Sequence, residues 1–273
     1  LGMGPDAAEQ ATPGASTLLV GLLDKIGTLG MIRICLGLFP QASQWATPFV
    51  LVLAVISVLW GATMAVTSKD LMRLVSYTSV SHFGFMIIGI FAVTTTSLTG
   101  SIFYMFNHGF STAVLFLVLG FLVKRRGSAQ VDAFGGVQKT APVLAGMFLF
   151  AGLATMSLPG ISNFIGEFMV LAGAWSRHPV YVAVATLGMV LGAVYILLTY
   201  KRTMTGPLTQ ATKEHVTTDL TGLEKAALTP LVILLLVFGF FPRPMLHVIE
   251  PVAHQTMSIV GVTDPAPAAE EGV

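Results

Sequence analysis

Cysteine is almost missing: Cys35 is the only one in 273 residues. A lone thiol excludes an internal disulfide, a paired-cysteine redox motif and the cysteine sets that hold structural zinc or iron–sulfur clusters. Charge is scarce as well. Only 10% of residues are charged, where soluble domains carry about 25%, and no run of Lys and Arg is dense enough to bind a phosphate backbone. Nucleic acid is therefore excluded as a partner. The opening 1–15 is rich in Gly, Ala and Pro and lacks the basic start and apolar core of a signal peptide. It begins with Leu1, so it reads as the edge of an internal fragment or of a trimmed gene, with Met3 as an alternative start.

What the chain has in quantity is apolar sequence. Hydrophobic residues make up 54% of it, the mean hydropathy is +0.82 and the net charge is only +1. This is an all-α integral membrane protein whose first partner is the lipid bilayer. A hydrocarbon core of about 30 Å takes roughly 20 helical residues, and windows of that kind mark about seven transmembrane helices. They fall at 16–39, 46–66, 74–94, 98–123, 142–175, 180–200 and 226–241. The fifth is too long for one straight helix and contains Leu158-Pro159-Gly160, where proline removes a backbone donor and glycine adds freedom.

Loop charge decides how to treat that window, because cytoplasmic loops collect Lys and Arg. One broken span puts Lys69, Arg73, Lys124, Arg125, Arg126, Lys139, Lys201, Arg202, Lys213 and Lys225 on one side against Arg177 and Arg243 on the other. Two separate spans dilute the bias, so a single broken helix over 142–175 fits better. It places the N-terminal segment on the cytoplasmic side and the tail 262–273, with Pro265, Pro267, Glu270 and Glu271, outside and disordered.

Four ionisable residues then sit near mid-membrane: Lys25, His82, His108 and Glu167. At 1.5 Å of rise per residue, Lys25 lies roughly 14 Å and His82 roughly 12 Å from the start of their spans. A charge at that depth is costly and usually marks an ion or proton path. Asp24 is a poor partner for Lys25, since adjacent helical residues do not face each other, and depth argues against snorkelling. His82 ends the polar stripe Tyr77-Thr78-Ser79-Val80-Ser81-His82, while His108 has Asn107 beside it, Tyr104 one turn earlier, and Ser111 and Thr112 following. Either histidine alone is as well explained by packing, since hydroxyl and imidazole groups bond between membrane helices. Two at one depth point to a relay.

Glu167 follows the interruption by seven residues and has no basic residue in its own span, so its partner must come from another helix. Arg33 lies nearer a helix end and reads as an anchor. The run Met147-Phe148-Leu149-Phe150 reads as core or lipid contact. His247 and His254 are seven residues apart without a carboxylate neighbour, and no metal site follows from them.

Three motifs carry a resemblance: Asp70-Leu71-Met72-Arg73-Leu74-Val75-Ser76-Tyr77-Thr78-Ser79-Val80-Ser81-His82-Phe83-Gly84, then Asn107-His108-Gly109-Phe110-Ser111, then Leu158-Pro159-Gly160-Ile161-Ser162-Asn163-Phe164-Ile165-Gly166-Glu167-Phe168. In order, spacing and span placement they resemble the antiporter-like subunits of respiratory complex I, the proton-pumping NADH:quinone oxidoreductase. The resemblance implies a 14-helix architecture of two inverted five-helix repeats, of which this chain holds the C-terminal half. The stretch 16–39 would be the last helix of the first repeat, 46–200 the second repeat with its broken helix, and 226–241 the final transmembrane helix.

By position, Lys25 is similar to the central lysine joining two half-channels, His82 and His108 to the intervening relay, and Glu167 to the terminal titratable group of the outward half-channel. The broken helix carries a lysine in two of the three antiporter-like subunits and a glutamate in the third, so Glu167 points to the third. The implied partners are the other membrane-arm subunits, with chains L and N as neighbours, in a bacterial inner (plasma) membrane. No cofactor is expected on this chain: NADH, FMN, iron–sulfur clusters and quinone would lie on partner subunits. Three departures stand out. The glutamate and lysine that begin the first half-channel have no counterpart, Ala8 stands where the family has a histidine, and Met72 stands where it usually has a lysine. The rival readings are a subunit of a multi-subunit sodium/proton antiporter and a truncated, non-pumping membrane scaffold.

Overall fold

A computed structural model describes residues 12–264, so most of the expected N-terminal fragment edge and most of the expected disordered tail lie outside the described residues. Four helical pieces, Pro13–Leu18, Leu19–Leu23, Asp24–Gly30 and Met31–Leu36, follow one another without a gap as α1, the second and fourth being wider π-type turns. Then come α2 (Pro40–Thr67), α3 (Leu71–Phe91), α4 (Thr95–Arg126), α5 (Pro142–Thr155), α6 (Ser162–Trp175), α7 (Pro179–Met204), the short α8 (Gln210–His215), α9 (Gly222–Phe240) and α10 (Arg243–Val260). Among the described residues there is no strand, and the fold is all-α.

Five helices, α2, α3, α4, α7 and α9, are each long and apolar enough to cross a membrane. A sixth is reached only by joining the short turns of Val131–Lys139 to α5 across a 115° bend. The expected count of seven differs because 16–39 is divided by its two wide turns and 142–175 by its break, so neither is one uninterrupted helix. The outer surface is apolar, as a protein solvated by lipid requires. Leu22, Leu29, Trp45, Leu53 and Phe240 are all exposed.

Helix boundaries follow from local chemistry. Asp70 caps α3 by accepting from the Met72 and Arg73 amides at 2.9 and 3.0 Å, and Thr94 caps α4 by accepting from the Ser97 amide at 3.2 Å. Lys124, Arg125 and Arg126 fill the last turn of α4, where cations suit the helix dipole, before Gly127 ends it in the left-handed region. Helix α5 cannot be capped by Ala141. Asp219, far along the chain, does it instead, accepting from the amides of Val143 and Leu144 at 2.8 and 2.9 Å. Arg125 holds the segment carrying Asp219 in place, donating to the Asp219 carbonyl at 2.9 Å and pairing with Glu224 at 2.6 Å.

Between α5 and α6 the chain turns through Ser157 at φ 56° and Gly160 at φ 96°, with Pro159 between them. Glycine tolerates that region, whereas a serine there is held by its surroundings. Helices α3 and α4 form the centre: α3 packs against α2, α4 and α6, and α4 also takes α5, α9 and α10. Hydroxyls tie these helices together. Ser81 donates to the Val58 carbonyl at 2.9 Å, Ser57 to that of Val80 at 3.0 Å and Ser101 to that of Met86 at 2.8 Å.

Helix α10 lies beyond every expected span. It buries Ile249, Ala253, Met257 and Val260 along one stripe and exposes Arg243, His247, Glu250 and His254. That alternation is an amphipathic pattern rather than a uniformly apolar one, so a search for spans passes over it. Its far end is fastened by Gln44, which donates to the Val260 carbonyl at 2.8 Å, and by Asp264, which accepts from the Thr95 amide at 2.8 Å.

The cap that Asp219 provides has a measurable consequence. Replacing Asp219 with Ala leaves the first amides of α5 without their acceptor and should destabilise the chain by about 1 kcal/mol. A lowered thermal unfolding midpoint of the full-length chain, with Asp219→Asn intermediate, is the expected result.

Candidate functional site

Helix α4 presents Tyr104, His108, Ser111 and Thr112 within two turns, and all four are buried. Residues four apart on a helix share a face, so Tyr104 and His108 look the same way. From α3, His82 enters this face, its ring centroid 5.0 Å from that of His108 and 5.8 Å from that of Tyr104. His82 Nδ1 is hydrogen-bonded to Tyr104 Oη, and Tyr195 Oη of α7 lies 3.4 Å from Nε2. The Thr112 hydroxyl sits 3.2 Å from His108 Nε2.

From the other side α6 brings Glu167, which is only 2% exposed. Tyr104 donates to Glu167 Oε2 at 3.4 Å, and Ser157, on the break, donates to the same oxygen. Positive φ at Ser157 turns its hydroxyl back onto the carboxylate, so the unusual backbone and the buried acid belong to one arrangement. A second tie joins the same helices, with Asn163 donating to Ser111 Oγ at 2.7 Å and Ser111 to the His108 carbonyl at 3.2 Å.

Gly166 makes this approach geometrically possible. A Cβ there would lie 2.7 to 2.9 Å from the Cβ, Cα and N of Tyr104, so α6 rests directly on the backbone of α4 at the residue that meets Glu167.

Lys25 stands at the margin. It follows the wide turn Leu19–Leu23, is half-buried, donates to the Val20 carbonyl at 2.6 Å and places Nζ 5.1 Å from the centroid of the Phe83 ring. Phe83 in turn packs edge-on against His108, centroids 6.3 Å apart. The structure thus brings His82, His108 and Glu167 into one buried cluster and sets Lys25 beside it across a phenyl ring.

Sequence reasoning named Tyr104 only as a neighbour of His108 and missed Ser157 and Tyr195. Tyr104 had a signal, its helical spacing from His108, and Ser157 had its place beside Pro159. Tyr195 is one of three tyrosines in its span, with Tyr181 and Tyr200, and carried none. His247 and His254 both lie on the exposed face of α10, and among the described residues no cluster of three or more metal-ligating side chains occurs.

Fold and site together define a multi-pass membrane protein with a row of protonatable groups buried across its core and ending at a broken helix. The sequence matches the family described as NADH:quinone oxidoreductase/Mrp antiporter, transmembrane, over residues 4–192, and the chain belongs to that family. It is 48% identical to NADH-quinone oxidoreductase subunit M of Mycobacterium tuberculosis over 269 residues, covering 98% of this chain and 48% of the relative. Among solved structures it is similar to a chain of respiratory complex I from Thermus thermophilus with bound NADH, with a TM-score of 0.83, 31% identity, 92% of this chain covered and 52% of that one. A chain of the Mrp complex from Dietzia sp. DQ12-45-1b shares the fold, at a TM-score of 0.82 and 20% identity over 95% of this chain and 57% of that one. The chain spans about half the length of the curated relatives it matches.

Contact at Gly166 yields a test. Gly166→Ala must force α6 and α4 apart and should cost about 1–3 kcal/mol, seen as a lower unfolding temperature of the full-length chain. Gly146→Ala is the control, because a Cβ there meets nothing within 4 Å, and it should leave stability unchanged or slightly raised.

Proposed function

We propose that this chain forms the outward half of a proton path in a membrane-arm subunit of NADH:quinone oxidoreductase, of the kind named subunit M. The observation that carries the reading is the buried series His108, His82, Tyr104 and Glu167, hydrogen-bonded from His82 onward and ending where the helix breaks. Lys25 stands at the inner end of the series and Glu167 at the outer end. On this reading the chain's own residues only accept, hold and pass protons. NADH, FMN, iron–sulfur clusters and quinone belong to partner subunits, where the redox chemistry takes place.

Energy released there would reach this chain as altered charge and hydration around Lys25 and Glu167, changing which of them holds a proton. On this reading the Lys- and Arg-rich loops face the cytoplasm of a bacterium and the Arg177 end lies outside its plasma membrane. Chains L and N would flank it, and 46–200 would be its second five-helix repeat. Identity favours this over a sodium/proton antiporter, since the Mrp likeness at 20% concerns the fold alone while the subunit M relative stands at 48%.

Glu167→Gln in the full-length subunit of the assembled complex keeps the side chain's size and removes its charge. Proton uptake into inverted membrane vesicles, per NADH oxidised, should fall well below wild type with the complex still assembled. An unchanged ratio would sink the proposed function.

A further inference from the structure

We infer that Tyr104 is a proton-carrying link of this path: its phenol passes protons between His82 and Glu167, which share no hydrogen bond of their own. The inference rests on the proposed path and adds to it a residue and a direction. Three observations support it. The Tyr104 side chain is fully buried. Its hydroxyl meets His82 Nδ1 on one side and Glu167 Oε2 on the other, with the Ser157 hydroxyl, bonded to the same carboxylate oxygen, also beside it. And Gly166 presses the backbone of α6 onto Tyr104 itself, which fixes the phenol beside the carboxylate rather than leaving it free to swing.

Donor bookkeeping then assigns the protons. The Tyr104 O–H donates to Glu167, so its oxygen must accept from His82 Nδ1–H. A neutral imidazole carries one proton, which leaves Nε2 as acceptor for the Tyr195 hydroxyl. Every donor in the row therefore points towards Glu167. A proton arriving at His82 Nε2 makes the imidazolium. Nδ1–H then moves to the Tyr104 oxygen as the Tyr104 O–H proton moves to the Glu167 carboxylate. The products are neutral His82 protonated at Nε2, an intact Tyr104 phenol whose O–H now faces Nδ1, and protonated Glu167. No charge is left on the phenol, and once Glu167 releases its proton the row resets when the O–H rotates back to Glu167 and His82 returns from its Nε2–H to its Nδ1–H tautomer, by a turn of the ring or by losing the Nε2 proton and regaining one at Nδ1. Lys25, His108, Tyr195 and Ser157 are the other protonatable or hydroxyl groups around this row, and among the described residues no Lys or Arg hydrogen-bonds Tyr104.

The test is Tyr104→Phe in the full-length subunit of the assembled complex, which removes one oxygen and keeps both the ring and the backbone contact with Gly166. Proton pumping per NADH oxidised should drop to the level of Glu167→Gln, and the double variant should be no worse than either single one. Incorporating a fluorinated tyrosine at 104 preserves shape and makes the phenol more acidic. It should shift the pH dependence of pumping, which a purely structural tyrosine would not do. Wild-type pumping by Tyr104→Phe, or an unmoved pH profile with the fluorinated residue, overturns the link even if Glu167→Gln is impaired. If Glu167→Gln itself pumps normally, it is the proposed function that fails.

Discussion

A carboxyl group at bilayer depth has no water to bond, and the fold is organised around supplying Glu167 with partners from the protein. Ser157 and Tyr104 are those partners, and each depends on a backbone feature. Ser157 reaches back because the helix breaks around Pro159 and Gly160. Tyr104 reaches across because Gly166 has no side chain to hold α6 away from α4. An unbroken helix over the same residues would satisfy its own amides and carbonyls but would carry Ser157 to another face of the cylinder, nearly three turns from Glu167. The break and the glycine thus convert two hydroxyls from lipid-depth liabilities into the shell of an acid.

Helix α4 does the arranging. Its period of 3.6 residues puts Tyr104, His108 and Ser111 on one stripe, and α3 and α6 dock against that stripe with His82 and with Glu167 and Asn163. The stripe is held in register from below. Arg125, at the last turn of α4, grips the segment that carries Asp219, and Asp219 caps the first turn of α5. A chain of polar contacts therefore runs from the surface end of α4 to the start of the broken helix. The stability of that end and the placement of Ser157 are mechanically connected through α5.

Much of this was legible before any coordinates. Long apolar windows announce helices because lipid enforces internal hydrogen bonding, and mid-window ionisable residues announce themselves by cost. The interruption at Leu158-Pro159-Gly160 was readable from backbone chemistry alone. What could not be read is azimuth. The windows set the depth of His82, His108 and Glu167 but not which neighbour each faces, so Tyr104 between His82 and Glu167, and Phe83 between His108 and Lys25, emerge only from packing. Helix α10 was missed for a different reason, since half of its surface is polar and its amphipathic stripe does not resemble a span. The two wide turns in α1 leave no compositional trace at all.

Phe83 gives the row its unevenness. From His82 to Glu167 each step is a hydrogen bond between groups that both donate and accept, and a proton can pass by small displacements. The Phe83 ring touches both Lys25 and His108, its centroid 5.1 Å from the lysine nitrogen, and it can attract a cation to its face but offers neither a proton nor a lone pair to take one. On the proposed path, Phe83 would thus lie between a stretch without a hydrogen bond and a hydrogen-bonded one, and it is next to His82 on the same helix. Movement of α3 that displaces Phe83 also displaces His82, so opening one stretch disturbs the other.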